Sequence, residues 1–210
     1  MDDLIASLLG KREFSGLSLA IIDGGKIVKA RGYGFTDKGG SKPVTPDTLF
    51  QAGSVSKSLA ALGALHLVEA GKLSLDADVN TELRSWKLPD NEFTRDKKVT
   101  LRLILSHSAG ITVHGFAGYA AGAPVPTLLE VLDGARPANS APIRVDTVPG
   151  TAWRYSGGGY TVMQQMMIDA SGKPFAEYMR DTVLAPLGMT ASTFEQPLPE
   201  KMAALAATGC

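Results

Sequence analysis

The stretch that most constrains this chain is Phe50-Gln-Ala-Gly-Ser-Val-Ser-Lys-Ser-Leu-Ala-Ala-Leu-Gly-Ala-Leu-His-Leu-Val-Glu-Ala-Gly71. From Val55 to Ala70 almost every position is apolar or small on all sides, which predicts a helix buried over most of its surface rather than a one-sided amphipathic one. Gly71 then ends it, as a left-handed residue after the last turn does. The remaining chain is organised around this helix.

Ser54 and Lys57 stand at its mouth. Residues three apart lie over one another on a helix face, so a helix beginning near Ser54 lets its hydroxyl meet the Lys57 amine. Serine is a poor nucleophile until a neighbour takes its proton, and a desolvated lysine can lose enough basicity to do so. Free N–H groups at the helix start favour negative charge developing on Ser54 or on an attacked carbonyl. Ser-x-x-Lys alone is a weak signal, compatible with a capping serine and a solvated lysine, so the surrounding chain must decide.

A chain of 210 residues, 44% hydrophobic and 20% charged, can bury a sizeable core as one large domain or two intimate lobes. Twenty-one basic and 21 acidic residues balance, which gives no electrostatic case for nucleic acid or an anionic membrane surface. The start, Met1-Asp-Asp-Leu4, has no basic region and no long apolar run, so neither a signal peptide nor a transmembrane helix is expected. The single cysteine, Cys210, excludes an internal disulfide. The expected location is cytoplasmic, with the periplasm open if a signal peptide has been removed.

In chain order, Asp2 to Leu9 reads as a short helix with its exit over Gly10 to Phe14. Leu17–Ile22 and Ile27–Tyr33 read as two strands around Asp23-Gly24-Gly25-Lys26, a β-hairpin. Past the apolar helix, Lys72 to Val79 is an extended piece that buries Leu73, Leu75 and Val79. Thr81 to Arg95 is loop-like and anchored by Trp86 and Phe93, and Lys97-Lys98 is a solvated pair. Thr100 caps a helix through Leu105, followed by the turn Ser106-His107-Ser108-Ala109-Gly110. His107 reads as a hydrogen-bonded structural histidine, His66 as structural, and His114 is undecided. Gly110 to Pro126 is rich in glycine, alanine and proline. Its only large groups are Phe116 and Tyr119, so it is a candidate lid or pocket rim. Thr127-Leu-Leu-Glu130 is a capping box for a helix ending at Gly134.

A second chemical stretch is Pro149-Gly-Thr-Ala-Trp-Arg-Tyr-Ser-Gly-Gly-Gly-Tyr160. Three consecutive glycines let the backbone approach something closely, with Tyr155 just ahead of them. A tyrosine near a lysine ionises more readily, because the cation stabilises phenolate; taken alone, though, Tyr155 reads as a buried residue ahead of a helix from Tyr160 to Ala170 that Gly172 ends. Pro174 at the first helical position starts another helix, roughly Phe175 to Leu184.

Together these motifs resemble the serine β-lactamase-like hydrolases of the penicillin-recognising type, near the class C β-lactamases and related esterases and D-amino-acid peptidases. Ser54-Val-Ser-Lys57 looks like that family's Ser-x-x-Lys. Leu105-Ser-His-Ser-Ala-Gly110 resembles its Leu-[Ser/Thr]-His-[Ser/Thr]-x-Gly turn, and Pro149-Gly-Thr151 with Tyr155-Ser-Gly157 resembles its Pro-Gly…Tyr-x-Asn segment. Pro186-Leu-Gly-Met189 also fits, and the likeness runs from about Phe14 to Phe194. It implies an α+β fold, an antiparallel sheet flanked by helices with a helical lobe. It also implies that Ser54 forms an acyl-enzyme, that Lys57 and Tyr155 manage its proton, and that the Ser54 N–H is one oxyanion donor. Which of Lys57 and Tyr155 is the base stays open.

Two departures matter. Gly157 stands where class C β-lactamases carry Asn, losing an amide that hydrogen-bonds a substrate acylamino group, which favours an ester over a β-lactam. The family's third motif, Lys-Thr-Gly or His-x-Gly, is expected after residue 210, and Thr208-Gly209 lacks its preceding cation. The expected organisation is thus the N-terminal portion of one β-lactamase-like domain: 1–50 helix and hairpin, 51–79 nucleophile helix, 80–210 mostly helical lobe. A second polypeptide or a continuation supplies the missing strands and the second oxyanion donor. The reading is a serine hydrolase acting on small acyl esters without metal or cofactor, with Gly157, Phe116 and Tyr119 contacting substrate. The alternatives are a β-lactamase or D-amino-acid peptidase or amidase, and a non-catalytic binding or sensor protein on the same fold.

Overall fold

The computed structural model describes residues 1–11, 14–120 and 122–208; Gly209, Cys210 and part of the expected exit from the first helix lie outside them. The chain forms two compact units, Met1–Gly53 with Gly188–Cys210, and Ser54–Leu187. The segment from Gly188 onward therefore groups with the hairpin rather than with the helices that precede it.

In the first unit, helix α1 (Asp2–Gly10) is followed by strands β1 (Gly16–Asp23) and β2 (Lys26–Gly34), paired antiparallel from Gly16↔Gly34 to Asp23↔Lys26. Gly24 and Gly25, at φ 55° and 75°, make the tight turn, whose left-handed pair of residues matches the twist of the strands. The register slips between Ile21, opposite Lys29, and Ile22, opposite Ile27, leaving Val28 as the extra residue of a bulge. Asp2 ties α1 to β2 by accepting from Lys29 (2.5 Å), Arg31 (3.1 Å) and Tyr33 (2.7 Å), with Lys29 foremost in holding its carboxyl at about 2. Near the chain end, Leu49 pairs in parallel with Ala206, and the Thr208 N–H reaches the Thr36 carbonyl at 2.9 Å, beyond helix α8 (Glu200–Ala203).

The second unit is helical. Helix α2 (Ser56–Glu69) is preceded by the 3₁₀ turn Gly53–Val55; α3 (Val79–Glu82), α4 (Leu101–Leu105) and α5 (Leu128–Asp133) follow. Helix α6 (Gly157–Ser171) and helix α7 (Phe175–Met179), which runs into a π-type turn Arg180–Leu184, complete it. The caps are those the sequence predicts for α4 and α5: Thr100 accepts from the Leu103 N–H, and Thr127 and Glu130 close a capping box before Gly134. Pro174 precedes α7 as its cap residue rather than as its first residue.

Helix α6 is the hub. Val162, Met163, Met166 and Met167 are at most 1% exposed, and Met179 of α7 is fully buried beside them. Helix α2 meets this cluster along one face only, Ala60, Gly63, Ala64 and Leu67. A Cβ on Gly63 would stand 2.6 Å from the Met179 sulfur and 2.9 Å from the Met167 methyl, so the small residues bring α2 close to its neighbours. The expectation of a helix buried nearly all round is corrected here: Leu62 is 45% and Leu65 41% exposed. His66 sits on that more open side, its Nδ1 3.2 Å from the Tyr178 hydroxyl, which donates to the Gly63 carbonyl at 3.0 Å.

Between α3 and α4, the buried Trp86 donates from Nε1 to Asp133 at 2.8 Å, and Asp169 of α6 pins the start of the loop. Asp169 accepts the Arg84 N–H at 2.7 Å, the Ser85 N–H at 3.0 Å, the Ser85 hydroxyl and the Gln165 amide. Among the described residues, no helix is long and apolar enough to cross a membrane.

Candidate active site

Ser54 lies in the 3₁₀ turn just ahead of α2, exposed to solvent, and Lys57 lies in the first turn of the helix. That geometry brings Lys57 Nζ to 3.1 Å from Ser54 Oγ. Tyr155, from the segment leading into α6, donates its hydroxyl to the same oxygen at 2.7 Å. The Lys57 ammonium also stands 5.0 Å from the Tyr155 ring centre and 5.5 Å from that of Tyr160, within reach of a cation–π attraction. Its hydrogen bond to Tyr155, followed by that of Ser54, holds the phenol below its ordinary 10.0 against the opposing effect of burial.

The segment carrying Tyr155 is fixed on both sides. Upstream, the Arg154 guanidinium pairs with Asp146 and donates to the Gly110 carbonyl at 3.2 Å. Downstream, Ser156 caps α6 by accepting the Gly159 N–H at 2.9 Å and donates its hydroxyl to the Thr112 carbonyl at 2.9 Å. The N–H groups of Gly157 and Gly158 go to the His114 and Val113 carbonyls, both at 2.9 Å. The loop after Gly110 thus lies directly on the first turn of α6, and Gly157 and Gly158 make room for it. A Cβ at Gly158 would meet the Thr112 carbonyl oxygen at 2.6 Å, and one at Gly157 the His114 carbonyl oxygen at 3.0 Å and the Phe116 ring at 3.3 Å. Helix α6 consequently begins three residues before the expected Tyr160, since tertiary hydrogen bonds override the poor helix propensity of glycine.

The beta-lactamase family profile matches residues 1–209. This chain belongs to the beta-lactamase family. It is 29% identical over 212 residues to the esterase EstB of Burkholderia gladioli, covering 97% of this chain and 53% of that one. A penicillin-binding protein homologue from Pyrococcus abyssi superposes with a TM-score of 0.74 at 32% identity, over 90% of this chain and 42% of the other. The D-amino acid amidase of Ochrobactrum anthropi SV3 does so with a TM-score of 0.71 at 25% identity, over 90% and 50%. The chain spans about half the length of the curated relatives it matches. The fold is the α+β, β-lactamase/transpeptidase-like one, and the family is one of serine hydrolases.

Within this beta-lactamase family member, Lys57 and Tyr155 converge on the Ser54 hydroxyl oxygen. The other three expected site residues do not share one role. Gly157 is buried and its N–H is taken by His114, so it offers no free donor. Phe116 is 43% exposed, with its ring edge against Gly157. Tyr119 turns its hydroxyl to the Asn139 N–H at 3.2 Å, a contact with the loop that follows α5.

Two residues beside Tyr155 were not expected to touch it. The His107 ring lies 4.4 Å from the Tyr155 ring and 5.2 Å from that of Tyr160, and the His114 ring lies 4.9 Å from Tyr155. His107 sits inside a motif that the sequence does flag; nothing in the sequence links His114 to Tyr155. Burial first, then the nearby charges of Lys57 and His114, hold the His107 imidazole below its ordinary 6.5.

Proposed function

We propose that this chain carries the nucleophile half of a serine hydrolase that forms an acyl-enzyme on Ser54 and acts on small acyl esters. The observation that carries this reading is Ser54 Oγ within 3.1 Å of Lys57 Nζ and 2.7 Å of the Tyr155 hydroxyl, at the head of a helix 14 residues long. In the resting arrangement both groups donate to Ser54. Loss of the phenol proton, favoured by Lys57, reverses one hydrogen bond, so that the Ser54 hydroxyl donates to a phenolate. Tyr155 is then the base. It takes the Ser54 proton as Oγ bonds to the ester carbonyl, and passes it to the departing alcohol oxygen as the C–O bond breaks. Water attacking the acyl-enzyme by the same route in reverse releases the acid. The Ser54 N–H, at the positive end of α2, serves as one oxyanion donor.

The preference for esters rests on Gly157. Gly157 has no side-chain amide to offer an acylamino substrate, and even a Cβ there would press on the His114 carbonyl oxygen at 3.0 Å and the Phe116 ring at 3.3 Å. We further propose that a polypeptide segment corresponding to the rest of the relatives' length completes the sheet. Ile22 and Ile27, each 69% exposed, and Val28, 60% exposed, leave apolar surface on a sheet that, among the described residues, has two strands.

Intact mass spectrometry of the native protein under denaturing conditions, before and after a serine-directed phosphonate, tests both proposals. One adduct that is lost in Ser54→Ala supports the nucleophile, and a longer chain or a second polypeptide supports the completed sheet. An adduct that survives Ser54→Ala removes Ser54 from the mechanism. Relative rates on an aryl ester, a cephalosporin and a D-alanyl amide then read the substrate class, with the ester expected to be fastest.

A further inference from the structure

The chemistry proposed above leaves His107 unused, yet the structure binds it to the Tyr155 segment three times. His107 follows the C-cap of α4 with φ 56°, in the left-handed region that helix ends normally give to glycine. A side chain held in such backbone persists where its surroundings over-determine it. Here the His107 carbonyl accepts the Arg154 N–H at 2.8 Å, and His107 Nδ1 accepts the Ser156 N–H at 3.2 Å. Arg154 and Ser156 are the two chain neighbours of Tyr155, so one residue grips the backbone on either side of that tyrosine. The third contact is ring on ring, 4.4 Å between centroids with the planes 31° apart.

The Nδ1 contact selects a protonation state. A neutral imidazole whose Nδ1 accepts a hydrogen bond carries its proton on Nε2. A second proton would go to Nδ1, turning the acceptor into a donor aimed at the Ser156 N–H. The groups facing His107 are Lys57 from α2, His114 from the loop after Gly110, Trp153 and Tyr155 from the segment before α6, and Tyr160 from α6 itself. None of these is a carboxylate, and Lys57 already brings a positive charge. An imidazolium at this place is therefore opposed by both its hydrogen bond and its neighbours.

Resting on the Ser54 reading above, we infer that neutral His107 is a positioning residue that aims the Tyr155 hydroxyl at Ser54, and that its protonation releases Tyr155 and switches acylation off. The latch is closed at neutral pH and opens on the acid side of the ordinary imidazole value. His107 touches no reacting atom; it acts through Tyr155.

Nuclear magnetic resonance on the complete native protein reads the geometry without relying on turnover. At neutral pH the His107 imidazole is expected to carry its proton on Nε2. On acidification, the Tyr155 ring resonances, assigned by their loss in Tyr155→Phe, are expected to move with the His107 titration. A proton on Nδ1, or Tyr155 resonances indifferent to that titration, overturns the inference. In parallel, the rate of Ser54 phosphonylation is followed against pH in the wild type, His107→Asn and His107→Phe. Asparagine can present an oxygen near the Nδ1 position and does not titrate, so its acid limb is expected at least about one pH unit below that of the wild type. Phenylalanine keeps a ring but loses the acceptor, and is expected to slow labelling about 10-fold above the wild-type acid limb, with the difference closing below it. An asparagine variant with the wild-type acid limb overturns the inference. Failure of the wild type to label at Ser54 would instead sink the hydrolase reading, and the resonance data alone would then decide whether His107 holds Tyr155.

Discussion

The Tyr155 hydroxyl lies closer to Ser54 Oγ, at 2.7 Å, than Lys57 Nζ does at 3.1 Å, although Tyr155 is 101 residues away in the chain and Lys57 only 3. The local helical spacing supplies the cation, and the distant segment supplies the shorter hydrogen bond. This ordering makes Tyr155 the proton acceptor in our reading and Lys57 the group that makes the phenol acidic enough for the task.

The pH dependence of labelling separates those two roles. Tyr155 is held below 10.0 chiefly by Lys57, so the phenolate fraction, and with it the rate of Ser54 phosphonylation, is expected to rise from neutral pH toward a midpoint below 10.0. Lys57→Met removes the largest lowering influence, so the midpoint is expected to climb back toward 10.0 and the neutral-pH rate to fall. Tyr155→Phe is expected to abolish the rise and lower the rate by about 10²-fold or more, the usual scale of a lost general base. A Tyr155→Phe rate equal to the wild type at all pH values would exclude Tyr155 as base.

Gly158→Ala tests the packing of the loop on α6. The new methyl carbon would meet the Thr112 carbonyl oxygen at 2.6 Å, against backbone that cannot rotate away as a flexible side chain would. A loss of about 1–3 kcal/mol in urea unfolding is expected, the usual cost of overpacking. Gly172→Ala provides a contrast, because space is open there but φ is 69°, so its loss arises from backbone strain alone and should be smaller.

Asp169 is a source of acid sensitivity. Burial pulls its carboxyl up, but the hydrogen bonds from Ser85, Arg84 and Gln165 outweigh that and leave it below 3.8. A carboxyl lowered in the folded state contributes stability that is present above 3.8 and is lost as pH falls through the folded value. Asp169→Ala is expected to cost about 1 kcal/mol at neutral pH by removing the acceptor of the exposed Arg84 and Ser85 N–H groups, and to flatten the stability profile in that acid window. Thermal unfolding between neutral pH and the carboxylate range measures both. An unchanged profile would show that the acid loss lies elsewhere.

Parts of this arrangement are legible in the sequence because they are local. Gly24-Gly25 announces the hairpin, and the spacing of Ser54 and Lys57 announces their contact. The caps at Thr100 and Thr127 are likewise local hydrogen bonds written in neighbouring residues. Tyr155 was legible through its motif, since no periodicity links it to Ser54. The start of α6 was hidden because glycines argue against a helix, and only the carbonyls of Thr112, Val113 and His114 reverse that preference. The open side of α2 was hidden for another reason: Leu62 and Leu65 are as apolar as the residues on its buried face, so composition could not tell the two faces apart. His107 looked structural, and its hydrogen bonds are structural in kind; what the sequence did not disclose is that they hold the neighbours of Tyr155.

The methionines packed between α2, α6 and α7 give the helical unit an internal chemical clock. Met163, Met166, Met167 and Met179 are at most 1% exposed, whereas Met1 is 66% exposed. Dilute peroxide reaches a sheltered thioether only when the surrounding helices part, and each sulfoxide formed puts a polar group where an apolar one was packed. The fast oxidation of Met1 therefore reports the reagent, and the slow oxidation of the four inner residues reports how often the scaffold beneath Ser54 and Lys57 comes apart.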